Sequence, residues 1–288
     1  MNPANLTAGS SYELISPTAK LAVYFRGFYD EGARKIAEVV GAEEVAQGML
    51  REKGLTIEDA MLIVPLLEIR YKCIDSQIAR LGYKNVLELG VGVAPQRANP
   101  SVNYVETDLP GMVEERRRLT SQLGWNRERH YLESANALLQ EDIKRAAQHF
   151  SGDPFTLVHE GIFIYLSREE QATMAQNIYN MLSQHGGAWV NTDIFTRDKL
   201  LLASQFFHKL NEIMAIILGV TERSIRDNAF ENSADADDFF MKQGFDVERH
   251  PKFDGTYQLG SEQITEVDPT IIQLMKAAEV LVMKPKAS

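Results

Sequence analysis

Val86-Leu87-Glu88-Leu89-Gly90-Val91-Gly92, followed by Val102-Asn103-Tyr104-Val105-Glu106-Thr107-Asp108, reads strand, glycine turn, strand, acid. In an open α/β sheet, ligands bind beyond the carboxyl ends of the strands, where the connections part to opposite faces. Glycine at 90 and 92 lets backbone approach a ligand closely, and a carboxylate closing the next strand can accept two hydrogen bonds from ribose hydroxyls. The order therefore reads as a nucleoside pocket.

A dinucleotide site uses similar pieces but needs a third glycine three residues after the second, where strand and helix pack closely around a pyrophosphate. Pro95 stands there. Only residues 91–101 separate the two strands, too short a run for a full phosphate-binding helix. A nucleoside carrying an amino-acid tail in place of phosphates fits better.

Outward from this stretch, short β-rich runs alternate with helical ones: Val86–Gly90, Val102–Glu106, Arg129–Leu132, Thr156–His159 and Ala188–Asp193. That alternation predicts a parallel sheet. Ser167-Arg168-Glu169-Glu170 is a capping box, and its helix should run to His185 before Gly186-Gly187. Phe245–His250 and Glu279–Met283 supply two more strands, expected as an antiparallel pair beside the parallel ones. Ahead of the sheet, Ser16-Pro17 reads as a helix start, and a helix from Thr56 is interrupted near Pro65 before continuing to Leu81. Residues 1–80 thus form an N-terminal helical cap section, and 81–288 a Rossmann-like core. A helical stripe including Phe206, Phe207, Leu210, Met214 and Leu218 marks an insertion over about 196–232, suited to a lid or a homodimer surface.

Composition narrows the function classes. Forty acidic against thirty basic side chains give a net charge of -10, which argues against a nucleic-acid partner. Apolar content of 44% over 288 residues is ample for a globular core. Apolar runs are too short to span a bilayer, and one cysteine, Cys73, excludes an intrachain disulfide. A cytoplasmic protein is expected, with no metal, because no Cys/His cluster has zinc spacing.

The chain resembles the class I S-adenosylmethionine-dependent methyltransferases, and among them the leucine carboxyl methyltransferase-like O-methyltransferase family. The matching pieces are Ser16-Pro17-Thr18-Ala19, Leu87–Gly92, Glu106-Thr107-Asp108-Leu109-Pro110, Asn136-Ala137-Leu138, His159–Leu166 and Thr192-Asp193-Ile194-Phe195, spanning about residues 16–250. The resemblance implies a seven-stranded mixed sheet and a cofactor, S-adenosyl-L-methionine, released as S-adenosyl-L-homocysteine. It implies Arg70 on the methionine carboxylate, Gly90 and Gly92 along methionine and ribose, Asp108 on the ribose, Asn136 and Ala137 near adenine, and Glu160 on the methionine ammonium. Glu88 is a further cofactor-binding candidate. Many relatives have aspartate where this chain has Asn136.

Arg26, His159 and Tyr165 are candidates for the pocket of a small-molecule acceptor; no catalytic base is assigned. His159, like His130 and His208, has the plainer reading of a packing or hydrogen-bonding residue. O-methylation of a small molecule is the expected reaction. A protein C-terminal carboxylate as acceptor, a non-catalytic S-adenosylmethionine-binding protein and a NAD(P)-dependent oxidoreductase are the alternatives.

Overall fold

Seven strands form one sheet: β1 (Asn85–Leu89), β2 (Asn103–Asp108), β3 (His130–Ser134), β4 (Phe155–His159), β5 (Gly187–Asn191), β6 (Phe245–Pro251) and β7 (Glu279–Pro285). The computed structural model describes residues 10–97, 101–125, 127–206, 228–264 and 278–286, with Pro269, Gln273 and Lys276. Side chains are described from Pro17 in the first helix and to Leu201 in the helix that opens at Arg197. The expected insertion stripe from Phe206 to Leu218 therefore lies outside the described side chains.

Strand order is β3-β2-β1-β4-β5-β7-β6. The first five strands pair in parallel, while β7 runs antiparallel between β5 and β6. This is the seven-stranded, Rossmann-like mixed sheet expected from the sequence. Both neighbours of β1 follow it in the chain, so the sheet reverses its direction of growth there, the switch point at which open α/β sheets bind ligands.

Every residue of β1 and β4 is buried, because both faces of a parallel sheet are covered by helices. Leu87, Leu89, Leu157 and Trp189 enter one apolar cluster with α7 (Gln140–Ala147), α8 (Arg168–His185) and α10 (Ser233–Lys242). Val86, Val158, Ala188 and Val190 enter the other, against Cys73, Ile74 and Ile78 of α5 (Val64–Leu81). The Ser167–Glu170 capping box forms, and α8 ends at His185 before Gly186.

The N-terminal helices are α1 (Ser10–Arg26), α2 (Glu31–Val39), α3 (Ala42–Arg51) and α4 (Ile57–Ala60). Contrary to the expected start at Ser16-Pro17, α1 opens at Ser10 and carries Pro17 inside, at the cost of one intrahelical hydrogen bond. The interruption near Pro65 takes the form of a single 3-10 turn, Met61–Ile63, after which Pro65 occupies the first turn of α5. Val23 of α1 packs with Met112 and Leu119 of α6 (Pro110–Leu123), so these helices lie against the first half of the sheet.

After β5, Thr196 bridges Phe230, while Arg197 N–H donates to the Phe230 carbonyl at 2.7 Å. The chain thus returns to one point after the segment opened by α9 (Arg197–Phe206). β6 and β7 are antiparallel as expected. Their connection folds over α5, where buried Glu68 accepts the amides of Gly260 and Ser261, each at 2.8 Å. No helix among the described residues is long and apolar enough to cross a membrane.

Candidate active site

At the end of β1 the backbone turns sharply, and both Gly90 and Val91 donate to the Thr107 carbonyl of β2, at 2.7 and 3.1 Å. Gly90 has φ +65° and Gly92 φ +53°, left-handed values that favour glycine. Space acts as well: a Cβ on Gly90 would lie 2.2 Å from Ile162 Cδ1. Ala19 of α1 sits over Gly92, 3.7 Å from where its Cβ would be, so the N-terminal section covers the glycine turn.

Asp108 closes β2 and accepts Gly92 N–H at 2.8 Å through one oxygen and Leu109 N–H at 2.7 Å through the other. It does not cap α6, whose N-cap is Leu109 with no side-chain bond. Burial pushes its carboxyl up to about 6, against the pull of those two amides. Each oxygen keeps a second lone pair.

The turn after β4 presents Glu160, which accepts Arg70 Nε at 3.0 Å and Arg97 Nη2 at 3.0 Å. Burial alone would raise this carboxyl, but Arg70, Arg97 and Arg26 outweigh it and hold it below the ordinary range. Arg70 commits only Nε here. Both its Nη atoms lie 3.9 Å from the position a Cβ would take on Gly161. The turn is fixed from below by Asp193, just beyond β5, whose Oδ2 accepts Gly161 N–H at 2.7 Å, Ile162 N–H at 3.1 Å and bonds His159 Nδ1 at 3.0 Å.

Arg97 is the hub, 4% exposed. It donates Nε to Glu88 at 3.2 Å and Nη1 to Asp75 at 2.9 Å and to the Tyr71 carbonyl at 3.2 Å, besides its bond to Glu160. Glu88 takes its other bond from Tyr104 at 2.6 Å, and burial next to that carboxylate drives the Tyr104 hydroxyl far above its ordinary range. The loop that delivers Arg97 is pinned by Arg116, which pairs with Glu106 and reaches the Ala94 carbonyl.

Gly90, Gly92, Asp108, Asn136, Ala137 and Glu160 follow the carboxyl ends of β1, β2, β3 and β4, and Arg70 reaches Glu160 from α5. Glu88 lies beneath, within β1, spent on Arg97 and Tyr104. Asn136 forms a local turn: its side-chain oxygen accepts Leu138 N–H at 2.9 Å, which leaves the amide nitrogen, a donor, for any ligand. Tyr165 bonds Thr18 of α1 at 3.4 Å. His159 departs from the pocket set, being fully buried between Phe163 and Trp189. Arg26 is 5% exposed, with its guanidinium 3.4 Å above the Tyr71 ring centroid.

Sequence reading missed Arg97, Tyr71 and the role of Asp193. Nothing local signals Arg97, because its acceptors sit at positions 71, 75, 88 and 160. Among the described residues no group of three or more metal-ligating side chains converges.

No family model matches the sequence, and a comparison with curated proteins finds no match. Solved structures with a similar trace include PigF with S-adenosylhomocysteine, at 15% identity and TM-score 0.42 over 74% of this chain and 53% of that one. The apo S-adenosylmethionine-dependent methyltransferase SibL aligns at 18% identity and TM-score 0.46, over 76% of this chain and 55% of its own. This chain thus spans about half the length of those two proteins. A methyltransferase of Anabaena variabilis aligns at 11% identity and TM-score 0.49, over 75% of this chain and 84% of that one. The fold assignment rests on strand order and register.

Proposed function

We infer that this protein is an S-adenosylmethionine-dependent methyltransferase acting on an oxygen of a small molecule. The observation that carries the reading is complementary polar capacity along one edge of the sheet. Asp108 offers acceptor lone pairs beside the glycine turn, while Arg70 offers two uncommitted Nη donors beside Glu160. A nucleoside's ribose hydroxyls need the first, an amino-acid carboxylate the second, and the accompanying ammonium suits Glu160. Asn136 Nδ2 suits an adenine ring nitrogen, which accepts, better than the exocyclic amine, which like Nδ2 is a donor.

Bound there, S-adenosylmethionine supplies a methyl already activated on a sulfonium. The chain's own work is to orient and to exclude water. Ala19 and Thr18 of α1 cover the glycine turn and meet Tyr165, closing the cleft on the side away from the sheet. Neither His159 nor Tyr165 is suited to removing a proton. His159 is enclosed and bonded to Asp193, while burial raises the Tyr165 hydroxyl above its ordinary range and favours its protonated form. Alignment of acceptor and methyl therefore carries the rate.

Titration calorimetry with S-adenosylmethionine and S-adenosylhomocysteine tests the reading. Both should bind the wild-type protein, and Asp108→Ala and Arg70→Ala should each lose about 2 kcal/mol. Binding of NAD(P) with no response to either ligand would replace the reading with a nucleotide-dependent oxidoreductase.

A further inference from the structure

Among the described residues, two donor atoms next to the arginine cluster have no hydrogen-bond partner. Arg26 Nη2 and the Tyr29 hydroxyl are buried with no hydrogen bond, although Arg26 is among the most enclosed charged groups of the chain. Among the described residues its side chain makes one long hydrogen bond, Nε to Asp30 at 3.4 Å, and its plane lies on the Tyr71 ring. An unpaired buried donor costs about 1–3 kcal/mol, more for a charged group, so two together in a native core call for an occupant.

Their position says which occupant. Arg26 lies seven residues beyond Ala19 on α1, on the same helix face and roughly 10 Å further along the axis. Ala19 sits on the glycine turn, so Arg26 stands farther along α1, where it also acts on Glu160. The corner is bounded by Tyr71 of α5 and by Gly260 of the β6–β7 connection, whose Cβ position is 3.7 Å from Tyr29 Cβ. Arg97 also faces the Tyr71 ring, 4.7 Å from its centroid, with its own donors committed to Glu88, Asp75, the Tyr71 carbonyl and Glu160.

We propose that Arg26 and Tyr29 receive a carboxylate of the methyl acceptor, as a binding handle distinct from the atom that is methylated. A guanidinium edge and a phenol hydroxyl make two donors, matched to the two oxygens of a carboxylate; a phosphate would leave a third oxygen unpaired in a buried corner. Methylation of the handle itself is disfavoured by charge. Each oxygen is engaged by one donor, and a product ester would leave the buried Arg26 with only its long contact to Asp30 as a direct carboxylate partner. The acceptor is therefore bifunctional, with one anionic group in this corner and a second, nucleophilic oxygen presented to the methyl. This rests on the methyltransferase reading above.

The test uses the full chain saturated with S-adenosylhomocysteine, whose own affinity is measured first; failure to bind it sinks the methyltransferase reading and is recorded separately. Benzoate, its neutral isostere benzamide and phenyl phosphate are then titrated by calorimetry. Benzoate should bind at least tenfold tighter than benzamide and tighter than phenyl phosphate. Arg26→Gln should erase the preference, and Tyr29→Phe, which removes one hydroxyl and keeps the ring, should reduce it several-fold. With labelled S-adenosylmethionine in place of the homocysteine, no methyl benzoate should form. Equal binding of benzoate and benzamide, an undiminished preference in both variants, loss of S-adenosylhomocysteine affinity in Arg26→Gln as large as the loss for benzoate, or formation of methyl benzoate would each overturn the proposal. A preference for phenyl phosphate would overturn the carboxylate assignment.

Discussion

Replacing Asp108 with asparagine separates its contribution to ligand binding from its cost to folding. Burial raises the folded-state carboxyl from 3.8 to about 6, which at 1.36 kcal/mol per tenfold step corresponds to about 3 kcal/mol against the ionised form at neutral pH. Part of the side chain faces the cleft, and screening there brings the figure nearer 1–2 kcal/mol. The sign follows from linkage: a group whose pKa is higher in the folded state adds stability at low pH and loses it as pH rises through about 6. Between pH 7 and pH 5 the wild-type protein should therefore gain about 1 kcal/mol relative to Asp108→Asn, read from urea unfolding of both at each pH. Affinity for S-adenosylhomocysteine should move the opposite way. Ribose hydroxyls need the ionised carboxylate, so wild-type binding weakens by about tenfold from pH 7 to pH 5. Asp108→Asn starts about 2 kcal/mol weaker and stays flat. A wild-type affinity independent of pH over this range, or an asparagine variant that binds like wild type, would refute the placement of the ribose on Asp108.

Three further outcomes follow from the same geometry. Gly90→Ala puts a methyl 2.2 Å from Ile162 Cδ1 at φ +65° and should cost more than about 2 kcal/mol in urea unfolding. Adding Ile162→Ala should recover the steric part and leave the backbone part. Arg97→Met leaves Glu88 and Glu160 without a shared cation and should destabilise by about 3 kcal/mol or more, partly restored by Glu88→Gln. Glu106 is pushed up by burial but held at about 2 by Arg116 and His130, so its stability contribution is present above 4.5 and lost as pH falls through about 2. Glu106→Gln should abolish that share of the acid dependence, measured as the change in Tm between pH 5 and pH 2.5.

The strands were legible because burial on both faces demands what β1 and β4 mostly contain, apolar and β-branched residues followed by glycine or acid, with Glu88 a buried exception in β1. The sharp stop of α8 was legible because Gly186 takes φ +77°, where other residues are strained. Candidate site residues with a positional grammar, Gly90, Gly92, Asp108 and Glu160, could be located for the same reason: each lies at or just beyond the carboxyl end of β1, β2 or β4. Arg97 had no such grammar. Its position on the short first connection is unremarkable in sequence, and only the third dimension brings Tyr71, Asp75, Glu88 and Glu160 to its guanidinium. His159 misled in the opposite direction: it precedes Glu160, but strand alternation sends successive side chains to opposite faces, and His159 turns into the aromatic core. The start of α1 was misread because Ser-Pro is a strong helix-opening pair, and a helix that tolerates an internal proline leaves no local trace.

The cleft's polar groups are not equally spent. Glu88 is satisfied by Arg97 and Tyr104, and Glu160 is bridged by two arginines, so these carboxylates hold the frame. What remains uncommitted is the acceptor capacity of Asp108, the two Nη groups of Arg70, and Arg26 Nη2 with the Tyr29 hydroxyl. Buried polar groups are stable only when paired, so this residue of unpaired capacity marks where ligands bind. It comprises one acceptor site and two donor sites. A nucleoside with an amino-acid tail satisfies the first two and leaves the third, which is why the Arg26 corner falls to a second, anionic molecule and not to the cofactor. On the proposed reading, an anionic acceptor group seated there would give Arg26 the close partner that Asp30, at 3.4 Å, supplies only in part.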